Sequence, residues 1–65
     1  MPIVQIHLLE GRSDEKKEAL IANVTQTIHE TIDAPLDSIR VILEEMPLQH
    51  YGIAGVSAKK QRAGK

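Results

Sequence analysis

Pro2, Arg12 and Arg40 are the residues of this chain whose types and positions suit chemistry. A proline directly behind the initiator methionine becomes a free secondary amine once Met1 is removed, and a ring-held amine is a base. Arginine is permanently cationic, and its planar fork of donors holds a carboxylate bidentately. The three together suggest proton transfer beside an anion. The amine accepts a proton, and a guanidinium stabilises the charge left behind. Desolvation and nearby guanidinium charge both disfavour an ammonium form. The amine is therefore expected below the ~7.7–8.0 of a reference α-amino group, and neutral at pH 7. With Met1 attached the nitrogen is an amide without basic character, so this chemistry requires the processed chain. A small second residue ordinarily permits that removal.

The elements that must position these groups can be read from the same sequence. Pro2–Leu9 is aliphatic and β-branched and reads as a strand that proline can open but not interrupt. Apolar residues of both parities (Ile3 and Leu9 against Val4, Ile6 and Leu8) suggest burial on both faces. Glu10-Gly11-Arg12 breaks the strand. Ser13 is a good helix cap, and Asp14 and Glu15 follow in the first turn, where the helix dipole favours acids. Leu20, Ile21, Val24, Ile28 and Ile32 form an apolar stripe along the helix. It should stop near Asp33, because Pro35 disfavours helical geometry just before it. Ser38–Met46 reads as a second strand, giving a βαβ unit with parallel strands and a right-handed crossover. His50–Val56 carries the glycines of a short hairpin. A single domain is expected over residues 1–65, with about 57–65 a flexible basic tail.

Composition narrows the classes further. A domain of 65 residues buries little, and this one has no cysteine for disulfides and no metal-ligand spacing. Yet 42% of its residues are hydrophobic and only one is aromatic, which is more aliphatic surface than one thin layer can cover. Oligomerisation is the remaining way to cover it. A net charge of −1 argues against nucleic acid. No signal peptide or membrane span is legible, and a cytoplasmic location is expected. His7, His29 and His50 lack ligand-like spacing, with His7 expected to be packed or partnered in the strand and His29 on the helix surface. Glu44 and Glu45 are adjacent in a strand, point to opposite faces and do not converge.

PIVQIHLLEGRSDEKKEALI, DAPLDSIRVILEEM and HYGIAG resemble the 4-oxalocrotonate tautomerase (2-hydroxymuconate tautomerase) family over all but the C-terminal end. The resemblance implies an α/β (α+β) fold, a β-α-β unit with a short C-terminal hairpin, assembling as a hexamer of three dimers with sites shared between subunits. It implies a cofactor-independent isomerase of aromatic hydrocarbon catabolism, converting a 2-hydroxydienoate to the unsaturated 2-keto acid. Pro2 is then the general base. Arg12 binds the far carboxylate of a dicarboxylate, Arg40 meets the near carboxylate and the 2-oxygen, and Leu9 lends a backbone amide. Many close relatives carry phenylalanine where this chain has Tyr51, and often glycine where it has Ala54. Tyr51 is read first as a core aromatic with its hydroxyl in water, and second as an apolar wall that keeps Pro2 neutral. A non-catalytic oligomeric module, or a proline-dependent hydratase or dehalogenase, remains an alternative within the same fold.

Overall fold

The computed structural model describes residues 1–63. Strand β1 spans Ile3–Leu9, helix α1 Asp14–Ile32 and strand β2 Arg40–Met46. A small hairpin, β3 Gly52–Ile53 and β4 Val56–Ser57, leads into a second helix, α2, at Ala58–Ala63. β1 and β2 pair in parallel, with Ile3 opposite Arg40 at one end and Leu9 opposite Met46 at the other. The expected βαβ unit and hairpin are both present.

Helix α1 begins where the sequence places it. The Ser13 hydroxyl accepts a hydrogen bond from the Lys16 N–H at 3.3 Å, satisfying one of the amides that the first turn leaves free. It ends at Asp33, which turns left-handed with φ 60° and donates its N–H to the His29 carbonyl at 3.1 Å. His29 differs from expectation. It is half-buried, and its Nδ1–H donates to the Ala34 carbonyl at 2.7 Å, fastening the helix end to the chain that leaves it. The second strand starts two residues later than expected, because Leu36–Ser38 close a 3₁₀ turn on the Pro35 carbonyl.

The sheet has one covered face. Val4, Ile6 and Leu8 of β1 and Val41 and Leu43 of β2 are half-buried, as are Leu20, Val24 and Ile28 of α1. Ile21 and Ile32, expected on the same helical stripe, are exposed. Leu20, Val24 and Ile28 recur every fourth position; Ile32 continues that line but stands exposed as the last residue of the helix, and Ile21 falls beside it. On the other sheet face Ile3, Gln5, His7, Arg40, Ile42 and Glu44 are all exposed. Burial on both faces is thus not achieved within one chain, and His7 is not a packed strand residue.

The C-terminal segment corrects a further expectation. In place of a frayed tail from about residue 57, Ala58–Ala63 is helical. The Ser57 hydroxyl accepts from the Lys60 N–H at 3.1 Å, and the Gln61 amide reaches the Ile53 and Val56 carbonyls of the hairpin. Ala58 is buried against this hairpin. The remainder of the expected tail, residues 64–65, lies outside the described residues.

The chain is long and thin, 46 × 24 × 14 Å, with a radius of gyration of 15.3 Å. A compact domain of this length has a radius near 11 Å. Among the described residues only Ile39 and Ala58 are buried apolar side chains. The accessible surface is 5040 Å², against about 4,100 Å² for a folded monomer of this mass.

Candidate active site

β1 separates the chemical groups instead of gathering them. Its seven residues span roughly 23 Å at about 3.3 Å per residue, with Pro2 before the strand and Arg12 beyond its other end. The structure therefore divides the residues read as a site into two clusters.

The first cluster is Pro2 with Arg40. The Arg40 N–H donates to the Pro2 carbonyl at 3.0 Å, the first rung of the parallel ladder. This rung fixes the proline at the sheet end without engaging its ring nitrogen. The Arg40 guanidinium is exposed, and its Nη1 donates to the Asp37 carbonyl at 2.7 Å. That carbonyl belongs to the 3₁₀ turn, so the turn that delays β2 also steers the arginine.

The second cluster is Leu9, Arg12 and Tyr51. The Glu10 N–H crosses to the Met46 carbonyl at 2.9 Å. Successive strand amides point to opposite sides, so the Leu9 N–H and carbonyl are turned to the free edge of β1. Arg12 Nη1 already donates to that carbonyl at 3.1 Å, leaving the amide at the edge with a cation beside it. His7, Leu8, Leu9, Met46 and Tyr51 line an open cleft of about 220 Å³ here. Tyr51 is 42% exposed and forms a wall of this cleft, so it is not the core aromatic expected. Within one chain its ring lies at the end of the sheet away from Pro2.

Of the cleft residues, sequence reasoning missed His7, Leu8 and Met46. Met46 had a usable signal, since parallel strands of equal length place their last residues side by side. His7 and Leu8 had none, because only the hairpin's return toward the sheet makes that end concave.

An ion pair ties α1 to β2 near this end of the sheet. Lys17 Nζ bridges Asp14 at 3.4 Å and Glu45 at 3.2 Å, joining the start of α1 to the end of β2. The hydrogen bond to Glu45 is the chief reason the Lys17 ammonium titrates above lysine's ordinary 10.5. Glu44 projects from the other face, as the alternation requires. Among the described residues no group of three or more His, Cys, Asp or Glu side chains could hold a metal ion, and no helix is long and apolar enough to cross a membrane.

The chain is thus a parallel β-α-β unit with Pro2 before β1, Arg40 opening β2, Arg12 beyond the far end of β1 and an apolar cleft at that end. The family model described as tautomerase enzyme matches residues 2–61. The chain is 63% identical over 59 residues to the 2-hydroxymuconate tautomerase of Stutzerimonas stutzeri, covering 91% of this chain and 94% of that protein. Its fold superposes with a TM-score of 0.93 on a 4-oxalocrotonate tautomerase isozyme from Methylibium petroleiphilum, at 34% identity, over 98% of this chain and all of that one. It also matches a chain of the heterohexameric 4-oxalocrotonate tautomerase of Chloroflexus aurantiacus, with a TM-score of 0.86 at 33% identity, over 92% of this chain and 97% of that one. The chain belongs to the tautomerase family.

Proposed function

We propose that this protein is a cofactor-independent isomerase that converts 2-hydroxymuconate, or a closely similar 2-hydroxydienoate, to the α,β-unsaturated 2-keto acid. The observation that carries this reading is the joint presence of Pro2, Arg12 and Arg40 on a family fold that sets them at the two ends of one strand. After Met1 removal the Pro2 nitrogen takes the proton of the 2-hydroxyl and returns it to carbon along the conjugated system. Arg40 binds the near carboxylate and the 2-oxygen, drawing electron density as the dienolate forms. Arg12 holds the far carboxylate, the Leu9 N–H offers a further donor, and Tyr51 closes the apolar side.

Because these groups are separated by the length of β1, the working site is composite. A second copy running antiparallel along the free edge of β1 sets its own Leu9–Arg12 segment beside this chain's Pro2. A twofold axis then makes two identical sites per pair. The surface excess supports assembly. It amounts to roughly 900 Å² over a compact monomer, similar to the ~800 Å² each partner buries in a standard interface. The exposed sheet face bearing Ile3 and Ile42 suits a further contact, and a hexamer of three dimers uses both surfaces.

The test is an intact-mass measurement for loss of Met1, followed by an ultraviolet assay of the processed protein on 2-hydroxymuconate. Turnover is expected, and none would remove the reading. Sedimentation at micromolar concentration is expected to give a species several times 7.2 kDa. A stable folded monomer would remove the shared site.

A further inference from the structure

We propose that Glu10 is a positioning residue that clasps the Arg12 loop to the Tyr51 turn and thereby sets the spacing of the groups receiving the far end of a dicarboxylate. This rests on the reading of Arg12 and Tyr51 as substrate-binding residues. The turn before Tyr51 is a 3₁₀ turn at Leu48–His50, opened by Pro47. Pro47 at the cap position has no side-chain acceptor and makes no capping hydrogen bond. The turn's own bonds run from the His50 N–H to the Pro47 carbonyl at 2.9 Å and from the Tyr51 N–H to the Leu48 carbonyl at 3.4 Å. They leave the Leu48 N–H over. Glu10 Oε2 accepts it at 3.3 Å, from 38 positions earlier in the chain.

The same residue is held at its backbone, where its N–H donates to the Met46 carbonyl at 2.9 Å. Glu10 therefore grips both sides of Pro47, a residue that has no N–H of its own to continue the ladder. It also stands between Leu9 and Arg12. Its side chain follows the turn while the Arg12 side chain hooks back on the Leu9 carbonyl. Beyond the turn, the Tyr51 carbonyl accepts from the Ala58 N–H at 2.7 Å. The aromatic wall is thus fixed from below by α2 and from the sheet side by the Glu10 carboxylate. A capping acceptor replaces water as the partner of the Leu48 amide, so its removal frees that side of the turn.

The experiment compares Glu10→Ala, Glu10→Asp and Glu10→Gln in the processed oligomer with 2-hydroxymuconate and with a 2-hydroxydienoate lacking the second carboxylate. Glu10→Ala is expected to raise KM for the diacid about three- to tenfold, because the exposed bond that spaces the Arg12 loop from the Tyr51 turn is lost, with kcat within about twofold. KM for the monoacid is expected to stay unchanged. Glu10→Gln keeps an acceptor of the same reach and restores most of the diacid KM. Glu10→Asp keeps the charge but falls short of the Leu48 amide, and is expected to raise the diacid KM alone by a similar factor, so the test stands even if the alanine variant fails to assemble. Amide exchange at Leu48, followed by NMR, quickens in the Ala and Asp variants. Equal KM changes for both substrates, or unchanged Leu48 exchange, would overturn the proposal while leaving the tautomerase reading intact. A wild-type protein that turns over neither substrate fails the reading itself, and with it the substrate half of this inference.

Discussion

The two ends of β1 are built on opposite plans. At the Pro2 end, the restraints are the backbone rung to Arg40 and the guanidinium's bond to the Asp37 carbonyl, with Pro2 half-buried and Arg40 exposed. At the Leu9 end, strand, loop, turn and second helix close around a cleft through Glu10, Lys17 and Ala58. The first end carries the proline proposed as the base and one arginine. The second has walls, a cation and an edge amide but not the proline amine. Each end lacks what the other supplies, which is the physical reason to expect two copies at every site.

The comparison breaks most sharply at the proline. A form that retains Met1 is expected to lose about 10²–10⁴-fold in kcat/KM, the usual range for a positioned general base, with assembly unchanged. Equal rates for the processed and unprocessed proteins on the same dienol would show that Pro2 merely begins a strand. Next come the arginines. Arg40→Ala is expected to lower kcat about 10²-fold, because it meets the oxygen where charge develops. Arg12→Ala is expected to act mainly on KM, by about tenfold. Steady-state kinetics showing the reverse would mean that the substrate lies the other way round.

Mixing sharpens the comparison without new chemistry. When Pro2→Ala chains and Arg12→Ala chains are unfolded, combined and reassembled, an antiparallel pair of unlike copies contains one intact site. At substrate well below KM, where the Arg12→Ala parent is itself weak, statistical mixing then restores about a quarter of the wild-type rate. Recovery no greater than the sum of the parents would place all groups of a site in one chain. The Tyr51 wall gives a smaller effect. Tyr51→Phe is expected to change kcat/KM by no more than about twofold and Tyr51→Ala by about tenfold, since the ring and not the hydroxyl lines the cleft.

The smallest effect belongs to Lys17. Its folded-state pKa is raised by Glu45, so the pair's contribution to stability is fully present below lysine's ordinary value. It is lost only as pH climbs through the raised one, above 10.5. Lys17→Met is therefore expected to lower the urea midpoint slightly and by the same amount at pH 6 and pH 8. A loss confined to one of these would indicate a different partner.

How much of this was legible in the sequence follows from the range of each interaction. The βαβ unit was, because Ser13, the apolar spacing of α1 and the Asp33–Pro35 stop are local signals. Pro2, Arg12 and Arg40 could be singled out because their chemistry is specific and they flank strands, and the structure sets them at strand ends while their roles stay part of the proposal. Helix α2 was not. It is six residues long with no apolar stripe, and it depends on the Ser57 cap and on Gln61 reaching the hairpin carbonyls. Glu10 was not, since its partner lies 38 positions away and beside Gly11 it reads as an ordinary turn charge. The Tyr51 environment was misread because one aromatic in an aliphatic chain suggests a core, whereas this chain buries almost no core alone. Ala54 at φ 53° beside Gly55 at φ 84° is the left-handed pair that turns a two-residue hairpin. An alanine there departs from the usual composition without altering the turn.

The parallel register has a consequence for how the protein is made. Every residue of β1 pairs with one 37 positions further on, from Ile3 with Arg40 to Leu9 with Met46. Such a ladder closes only over long loops and forms late compared with local helix. During synthesis β1 has no strand of its own chain to join until residues 40–46 have left the ribosome. Throughout that interval the N-terminus is an unpaired strand end, open to the peptidase that must remove Met1 before the amine exists. Closure of the sheet does not end that access, because Met1 stays exposed in the folded chain and only the Pro2 carbonyl joins the ladder.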